Sequence, residues 1–113
     1  MTLIEAIARM EGWGIPGDLP TRKNNPGDIC AGAFSAAHGA TPSAGRFATF
    51  PTPAAGFAAL RALLSTHYVG LTIAQAIERY APASENNTAR YVALVCEWTG
   101  TTPQTVVTPE LIG

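Results

Sequence analysis

Apolar residues recur at helical spacing in four stretches of the chain, and residues that start or stop helices border each stretch. The first stretch covers residues 3–10 and follows Thr2. Glu5 stands three residues after Thr2, so the two side chains are placed to form a capping box at the start of a helix. Gly12 favours the end of that helix. The pattern therefore predicts a first helix with a mostly apolar face and with Glu11 on its last turn.

Three later stretches show the same spacing and the same kind of border. Thr52 and Pro53 supply an N-cap followed by a proline, which the first helical turn tolerates. Thr72 and Gln75 are placed for a second capping box, and Gly100 is placed to end the last of the three helices. The predicted helices cover residues 53–68, 73–80 and about 87–99, and Thr-Pro pairs at 102–103 and 108–109 predict two short helical turns in the tail.

Between the first and second predicted helices the pattern changes to turn residues and to short segments in which apolar and polar residues alternate. Residues 12–27 are dense in Gly, Pro and Asn, which excludes regular structure there and is typical of a functional loop. Residues 29–31 and 46–50 have the pattern of two short strands, and the small, polar residues of 32–45 predict an exposed excursion between them. The prediction is an α+β fold, predominantly helical, with about five helical segments and a small antiparallel β-hairpin.

Composition indicates one folded domain that spans residues 1–113. Apolar residues make up 47% of the chain and charged residues 13%, which argues against disorder. The net charge is −1 without a basic run, so a nucleic-acid footprint is absent, and no apolar run has the length of a membrane span. The N-terminus has no basic-then-apolar leader. We therefore expect a protein that stays in the cytoplasm, that a partner delivers, or that has lost its leader.

The cysteines and histidines predict no metal site and no cofactor. Cys30 and Cys96 belong to no Cys-x-x-Cys pair, so they form either one disulfide or two buried free thiols. His38 and His67 are too few and too scattered to hold a metal, and a structural or surface role is expected for both. The glycines do not have the spacing of a phosphate-binding loop.

Four carboxylates stand in settings that a solvated helix face does not explain: Glu11, Asp18, Asp28 and Glu85. Three of them lie within the end of the first helix and the loop that follows it. At a helix C-terminus the macrodipole disfavours a second negative charge, and apolar neighbours add a desolvation penalty of the same sign. Both effects favour the protonated form of the Glu11 carboxyl, which is the form of a proton donor. The alternative is a solvated glutamate at a frayed helix end.

The order of three short motifs resembles a known superfamily. Glu-Gly-Trp at residues 11–13, at the end of a first helix, resembles the start of lysozyme-like domains in phage endolysins and lytic transglycosylases. Residues 88–92 are similar to the Thr-x-x-Tyr-Val element of lytic transglycosylases. Residues 24–29 followed by residues 46–50 resemble small phage-borne and bacterial lysozyme-like proteins. The resemblance therefore implies a lysozyme-like domain.

The resemblance also implies an activity. Glu11 would be the general acid of a muramidase, which cuts the β-1,4 bond between N-acetylmuramic acid and N-acetylglucosamine in peptidoglycan. Asp28 is the first candidate for positioning a water molecule and Glu85 is the second. The partners would be peptidoglycan glycan strands, and the protein would act as a monomer in the periplasm or cell wall without a metal or cofactor. Candidate substrate-binding residues are Trp13, Thr21, Asn24, Asn25, Tyr80, Asn87 and Tyr91, with Phe47 as a further aromatic.

Three alternatives stay open at this point. A lytic transglycosylase needs only one acid/base, because the 6-hydroxyl of the substrate attacks in place of water. A glycan-binding or structural module on the same fold would need no catalysis. An unrelated small helical interaction domain is the third. For the aromatic candidates the competing role is core packing, and for the Asn24-Asn25 pair it is plain turn chemistry.

Overall fold

The computed structural model describes residues 1–113, and α-helices account for about half of them. The prediction of a predominantly helical fold is confirmed. Seven helices are present where about five helical segments were expected. In chain order they are α1 (Leu3–Glu11), α2 (Leu19–Arg22), α3 (Ala33–Ala37), α4 (Pro53–His67), α5 (Ile73–Tyr80), α6 (Thr88–Thr99) and α7 (Pro109–Ile112).

The two predicted capping boxes fix the starts of α1 and α5. The Thr2 amide donates to Oε1 of Glu5 at 2.9 Å, and the Glu5 amide donates to Oγ1 of Thr2 at 3.2 Å. At α5 the Thr72 amide donates to Oε1 of Gln75 at 3.0 Å, and the Gln75 amide donates to Oγ1 of Thr72 at 3.2 Å. Each box satisfies amides that have no partner within the helix. Both predictions are confirmed.

Two short helices lie in segments for which the sequence predicted none. Helix α2 interrupts the loop of residues 12–27, and Pro20 lies in its first turn, where a proline removes no hydrogen bond that the helix needs. Helix α3 interrupts the excursion of residues 32–45 and buries Ser35. The exclusion of regular structure from residues 12–27 is therefore wrong, because a high density of Gly, Pro and Asn does not prevent a single helical turn that has a proline near its start. In the tail, α7 follows Thr108 as predicted, whereas Thr102 begins a hydrogen-bonded turn and no helix.

The predicted β-hairpin is reduced to isolated antiparallel bridges. Cys30 pairs with Phe47, and Thr41 pairs with Thr49, but neither pair belongs to a longer β-strand. The segment around residues 47–49 thus meets one partner segment at its first residue and another at its last, so neither pairing extends into a ladder. The β component of the predicted fold is almost absent.

The chain packs into two units. One, here called the central unit, consists of residues 7–63, and the other, the terminal unit, consists of residues 1–6 and 64–113. Within the terminal unit α5 and α6 pack against each other. Buried apolar side chains of the central unit include Ile7, Ile29, Ala48, Phe50 and Leu60, and those of the terminal unit include Leu3, Ile73, Ile77, Val95, Val107 and Ile112.

Both cysteines are free thiols, so no disulfide joins Cys30 and Cys96. Cys96 is buried, whereas Cys30 is exposed and departs from the expectation of a buried thiol. His38 lies on the surface, where its ring stacks on Phe34 and its Nδ1 meets the Phe34 carbonyl oxygen. No helix combines the length and the apolar character that crossing a bilayer requires.

Candidate functional site

The end of α1 has a fixed backbone geometry. The Trp13 amide donates to the Ala8 carbonyl at 3.0 Å, and the Gly12 amide donates to the Arg9 carbonyl at 3.2 Å. Gly12 has a φ of +98°. These are the two bonds of a Schellman motif, in which glycine adopts the left-handed conformation after the last helical residue. Glu11 is therefore the C-cap of a well-formed helix end, and not part of a frayed one.

Asp28 lies on a second rigid turn. It follows Pro26 and Gly27 and adopts a φ of +50°, a left-handed conformation that aspartate tolerates better than most residues. Its amide donates to the Asn25 carbonyl at 3.2 Å, which closes the turn. The Asp28 side chain is half-buried. The turn therefore presents this carboxyl in one direction instead of leaving it mobile.

The carboxyls of Glu11 and Asp28 form a pair. The Asp28 carboxyl is hydrogen-bonded to that of Glu11, which two carboxyls achieve only when one of them carries a proton. Burial, then this hydrogen bond and the negative charge of Glu11, raise the pKa of Asp28 from 3.8 to about 7. Oδ1 of Asp28 is buried and has no hydrogen-bond partner in the protein. The pair therefore binds and releases one proton near neutral pH. Sequence reasoning favoured protonation of Glu11, whereas the raised pKa lies on Asp28.

We expect the stability of the wild-type protein to decline as the pH rises from about 4 to about 7, and we expect Asp28→Asn to remove most of this decline. The pKa of Asp28 is about 7 in the folded state and 3.8 ordinarily, so the folded state binds this proton more tightly than the unfolded state does. The stabilisation is complete below about pH 4 and is lost as the pH rises through about 7. Because the carboxyl is half-buried, solvent screening limits the effect to roughly 1–2 kcal/mol.

Urea unfolding of both proteins at several pH values between about 4 and 8 measures this difference. Asparagine also tolerates the left-handed turn, so backbone strain should not obscure the result. Asp18→Asn is the matched control, because Asp18 is an exposed carboxylate in the same segment and its replacement removes the same negative charge without removing the Asp28 carboxyl. A decline that persists in full in Asp28→Asn would show that another group causes it.

A third carboxylate, Asp18, lies beside the end of α1, and sequence reasoning assigned it no role. A Cβ atom at Gly12 would lie 2.8 Å from Oδ2 of Asp18. Asp18 occupies the N-cap position of α2, yet its side chain makes no capping hydrogen bond. Gly12 is therefore required twice, for its positive φ and for the space that Asp18 fills. The sequence shows an acidic residue in the loop that follows Glu11 and Gly12. It does not show that the side chain of this residue, Asp18, lies beside the end of α1.

The two neighbouring asparagines differ in their environments. Asn24 is half-buried, and its Nδ2 donates to the Phe50 carbonyl at 3.1 Å. Asn25 has no exposed surface, and its side-chain hydrogen bonds all go to backbone groups of Ile29 and Ala48. The Asn25 amide group thus reaches no ligand, and its expected role in binding sugar is replaced by a role inside the loop.

Trp13 and Thr21 complete the candidate residues of the central unit. The Trp13 ring is half-buried and packs edge-to-face on Phe57, with ring centroids 5.2 Å apart. Oγ1 of Thr21 accepts from the Gly14 amide at 3.0 Å, so this threonine ties the loop after α1 to α2. Phe47 is half-buried with the Arg46 guanidinium over its ring. Of these, Trp13 combines partial exposure with a position two residues after Glu11.

The remaining candidates belong to the terminal unit. Tyr91 is 3% exposed, which fits core packing, and Asn87 caps α6 by accepting from the Arg90 amide at 3.1 Å. Tyr80 is half-buried and packs against Tyr68. Glu85 is exposed in the turn before α6. The structure therefore joins Glu11 to Asp28 and gives Asn87 a helix-capping role.

The side chains give no group of three or more His, Cys, Asp or Glu residues that could hold a metal ion. Comparison of the sequence with models of protein families and with curated proteins finds no match to either. The Glu11–Asp28 pair and the residues around it are therefore the features of this chain that bear on its function.

Proposed function

We propose that this protein is a peptidoglycan-cleaving glycosidase with a lysozyme-like domain, in which the Glu11–Asp28 pair supplies the proton for cleavage of the MurNAc–GlcNAc β-1,4 bond. The observation that carries the proposal is the carboxyl–carboxyl hydrogen bond at the rigid end of α1, together with the raised pKa of Asp28. A carboxyl with a pKa near the working pH can both hold and release a proton, so Asp28 can supply the proton that Glu11 donates. The proposal places the protein in contact with the cell wall, which it reaches by release or delivery.

The chemistry assigns a separate task to each residue. Glu11 donates the proton to the glycosidic oxygen as the bond to the leaving sugar breaks. Asp28 stores that proton between cycles and, once ionised, stabilises positive charge that develops at the sugar ring. Trp13, half-buried and held by Phe57, offers an indole face on which a pyranose ring can stack. The amide of Asn24 and the carboxylate of Asp18 are the polar groups of the surrounding loop.

The direct contact between the two carboxyls favours the lytic transglycosylase reaction over hydrolysis. Carboxyl pairs in retaining glycosidases are about 5–5.5 Å apart, and those in inverting enzymes about 6.5–9.5 Å, because a sugar carbon or a water molecule lies between them. Glu11 and Asp28 are hydrogen-bonded to each other and so act as one acid/base unit. A transglycosylase needs one such unit, because the carboxylate left after protonation of the glycosidic oxygen takes the proton of the substrate 6-hydroxyl as that oxygen attacks the anomeric carbon.

Mass spectrometry of purified peptidoglycan digested by the wild-type protein tests both proposals. We expect fragments that end in 1,6-anhydromuramic acid. Fragments with a reducing end would retain the glycosidase proposal and overturn the transglycosylase reaction. Intact glycan that nevertheless co-sediments with the protein would replace catalysis by a glycan-binding module, and neither cleavage nor binding would overturn the proposed function altogether.

A further inference from the structure

Both polar atoms of the fully buried Asn25 side chain are hydrogen-bonded. Both hydrogens of Nδ2 are donated to carbonyl oxygens, those of Ile29 and Ala48, each at 2.9 Å. Oδ1 accepts from the Ile29 amide at 2.9 Å. An aspartate would set an oxygen against two carbonyls, and a leucine would remove the hydrogen bonds that Asn25 gives to the Ile29 amide and to the Ala48 carbonyl. The site therefore requires an amide of this length.

These bonds act on both sides of Asp28. The Asn25 carbonyl accepts from the Asp28 amide at 3.2 Å, and the Asn25 side chain holds the amide and the carbonyl of Ile29, the next residue. Asp28 thus lies between two anchors that belong to one residue. The anchor extends further, because the Asn25 amide donates to the Pro20 carbonyl at 2.8 Å. The positive φ of Asp28 is maintained by this arrangement.

We propose that Asn25 is a positioning residue, which holds the Asp28 carboxyl against the Glu11 carboxyl. The effect of this positioning on catalysis rests on the proposed function. The positioning itself is a property of the free protein and does not depend on that function. Without the side chain of Asn25, the turn relaxes and the Asp28 carboxyl moves into solvent. A carboxyl in solvent loses both its burial and its hydrogen bond to Glu11, which are the conditions for sharing a proton.

The test is an NMR titration of the Asp28 carboxyl carbon in the wild-type protein and in Asn25→Ala. We expect the pKa of Asp28 to fall in the variant from about 7 towards its ordinary value of about 4. Val95→Ala is the matched control, because Val95 is a fully buried residue of the terminal unit whose truncation lowers stability by a different route. It should lower the melting temperature and leave the Asp28 titration unchanged. An unchanged pKa in Asn25→Ala would overturn the proposal.

A second measurement applies if Asn25→Ala does not fold. Hydrogen exchange of the Ile29 amide in the wild-type protein reports directly on its bond to Oδ1 of Asn25. We expect protection comparable to that of amides in the middle of α4, and rapid exchange would overturn the proposal. Neither measurement uses peptidoglycan. Failure to cleave peptidoglycan would therefore count against the proposed function alone. An unchanged pKa of Asp28 in Asn25→Ala would count against the positioning role alone.

Discussion

Glu11→Gln is expected to reduce cleavage of peptidoglycan by about 100-fold or more, with the fold intact. Glutamine keeps the length and shape of the side chain, and its amide can donate to the Asp28 carboxyl that now accepts. It has no proton to transfer to the glycosidic oxygen. The Schellman motif that ends α1 uses backbone groups, so the substitution does not disturb it. Release of soluble muropeptides from purified cell walls measures the rate, and circular dichroism measures the fold.

Glu97→Gln is the matched control for this experiment, because Glu97 is an exposed glutamate on α6. It should cleave at the wild-type rate. Wild-type cleavage by Glu11→Gln would remove this residue from the reaction and with it the proposed acid. Loss of cleavage in both variants would indicate a general effect of charge on binding to the wall, since each substitution removes one negative charge.

The helix starts were predictable from sequence because their causes are local. Thr2 and Glu5 are three residues apart, and so are Thr72 and Gln75, and the bonds between them depend on little else. Gly100 ends α6 in a left-handed conformation with a φ of 68°, as its position after the apolar stretch indicated. Such features can be inferred whenever a helix and its cap lie within one or two turns.

The β-hairpin was overpredicted because the alternation of apolar and polar residues shows which side of a segment is buried. It does not show which other segment pairs with it. Residues 46–50 do alternate, with Ala48 and Phe50 buried, but each bridge involves one residue of that segment. Helix α3 occupies much of the connection that was expected to be an open loop. Pairing of strands depends on contacts distant in sequence, which the alternation of one segment does not contain.

The site was predicted in part. Glu11 and Asp28 were both identified, the first from its place at a helix end and the second from its place after a Pro-Gly turn. Their hydrogen bond could not be inferred, because it joins two turns that are distant in sequence. The role of Asn25 was misjudged for a related reason. An Asn-Pro-Gly sequence indicates a turn, but whether its first side chain faces solvent or the interior depends on the segments packed around it.

Gly56 is a second position at which contacts distant in sequence decide the outcome, and its replacement is expected to have a large effect on stability. It lies in α4, where alanine would ordinarily stabilise a helix by about 0.5–1 kcal/mol relative to glycine. A Cβ atom here would lie 1.9 Å from the Asn24 carbonyl oxygen and 2.8 Å from Cδ of Pro26. The first of these contacts is with backbone, which has no side-chain rotation to relieve it. The loop that carries Asp28 therefore packs directly on the backbone of α4.

We expect Gly56→Ala to lower the free energy of unfolding by roughly 2–3 kcal/mol, because the overpacking penalty exceeds the gain in helix propensity. The melting temperature should fall by roughly 10 °C, as measured by circular dichroism or calorimetry. Gly32→Ala is the matched control, since a Cβ atom there meets nothing within 4 Å, and it should change stability by less than about 0.5 kcal/mol. Because relief of the clash must displace Asn24, cleavage by the folded fraction of Gly56→Ala should also decline. A variant as stable as the wild type would show that the loop does not lie against α4 and would count against the position of Asp28 beside Glu11.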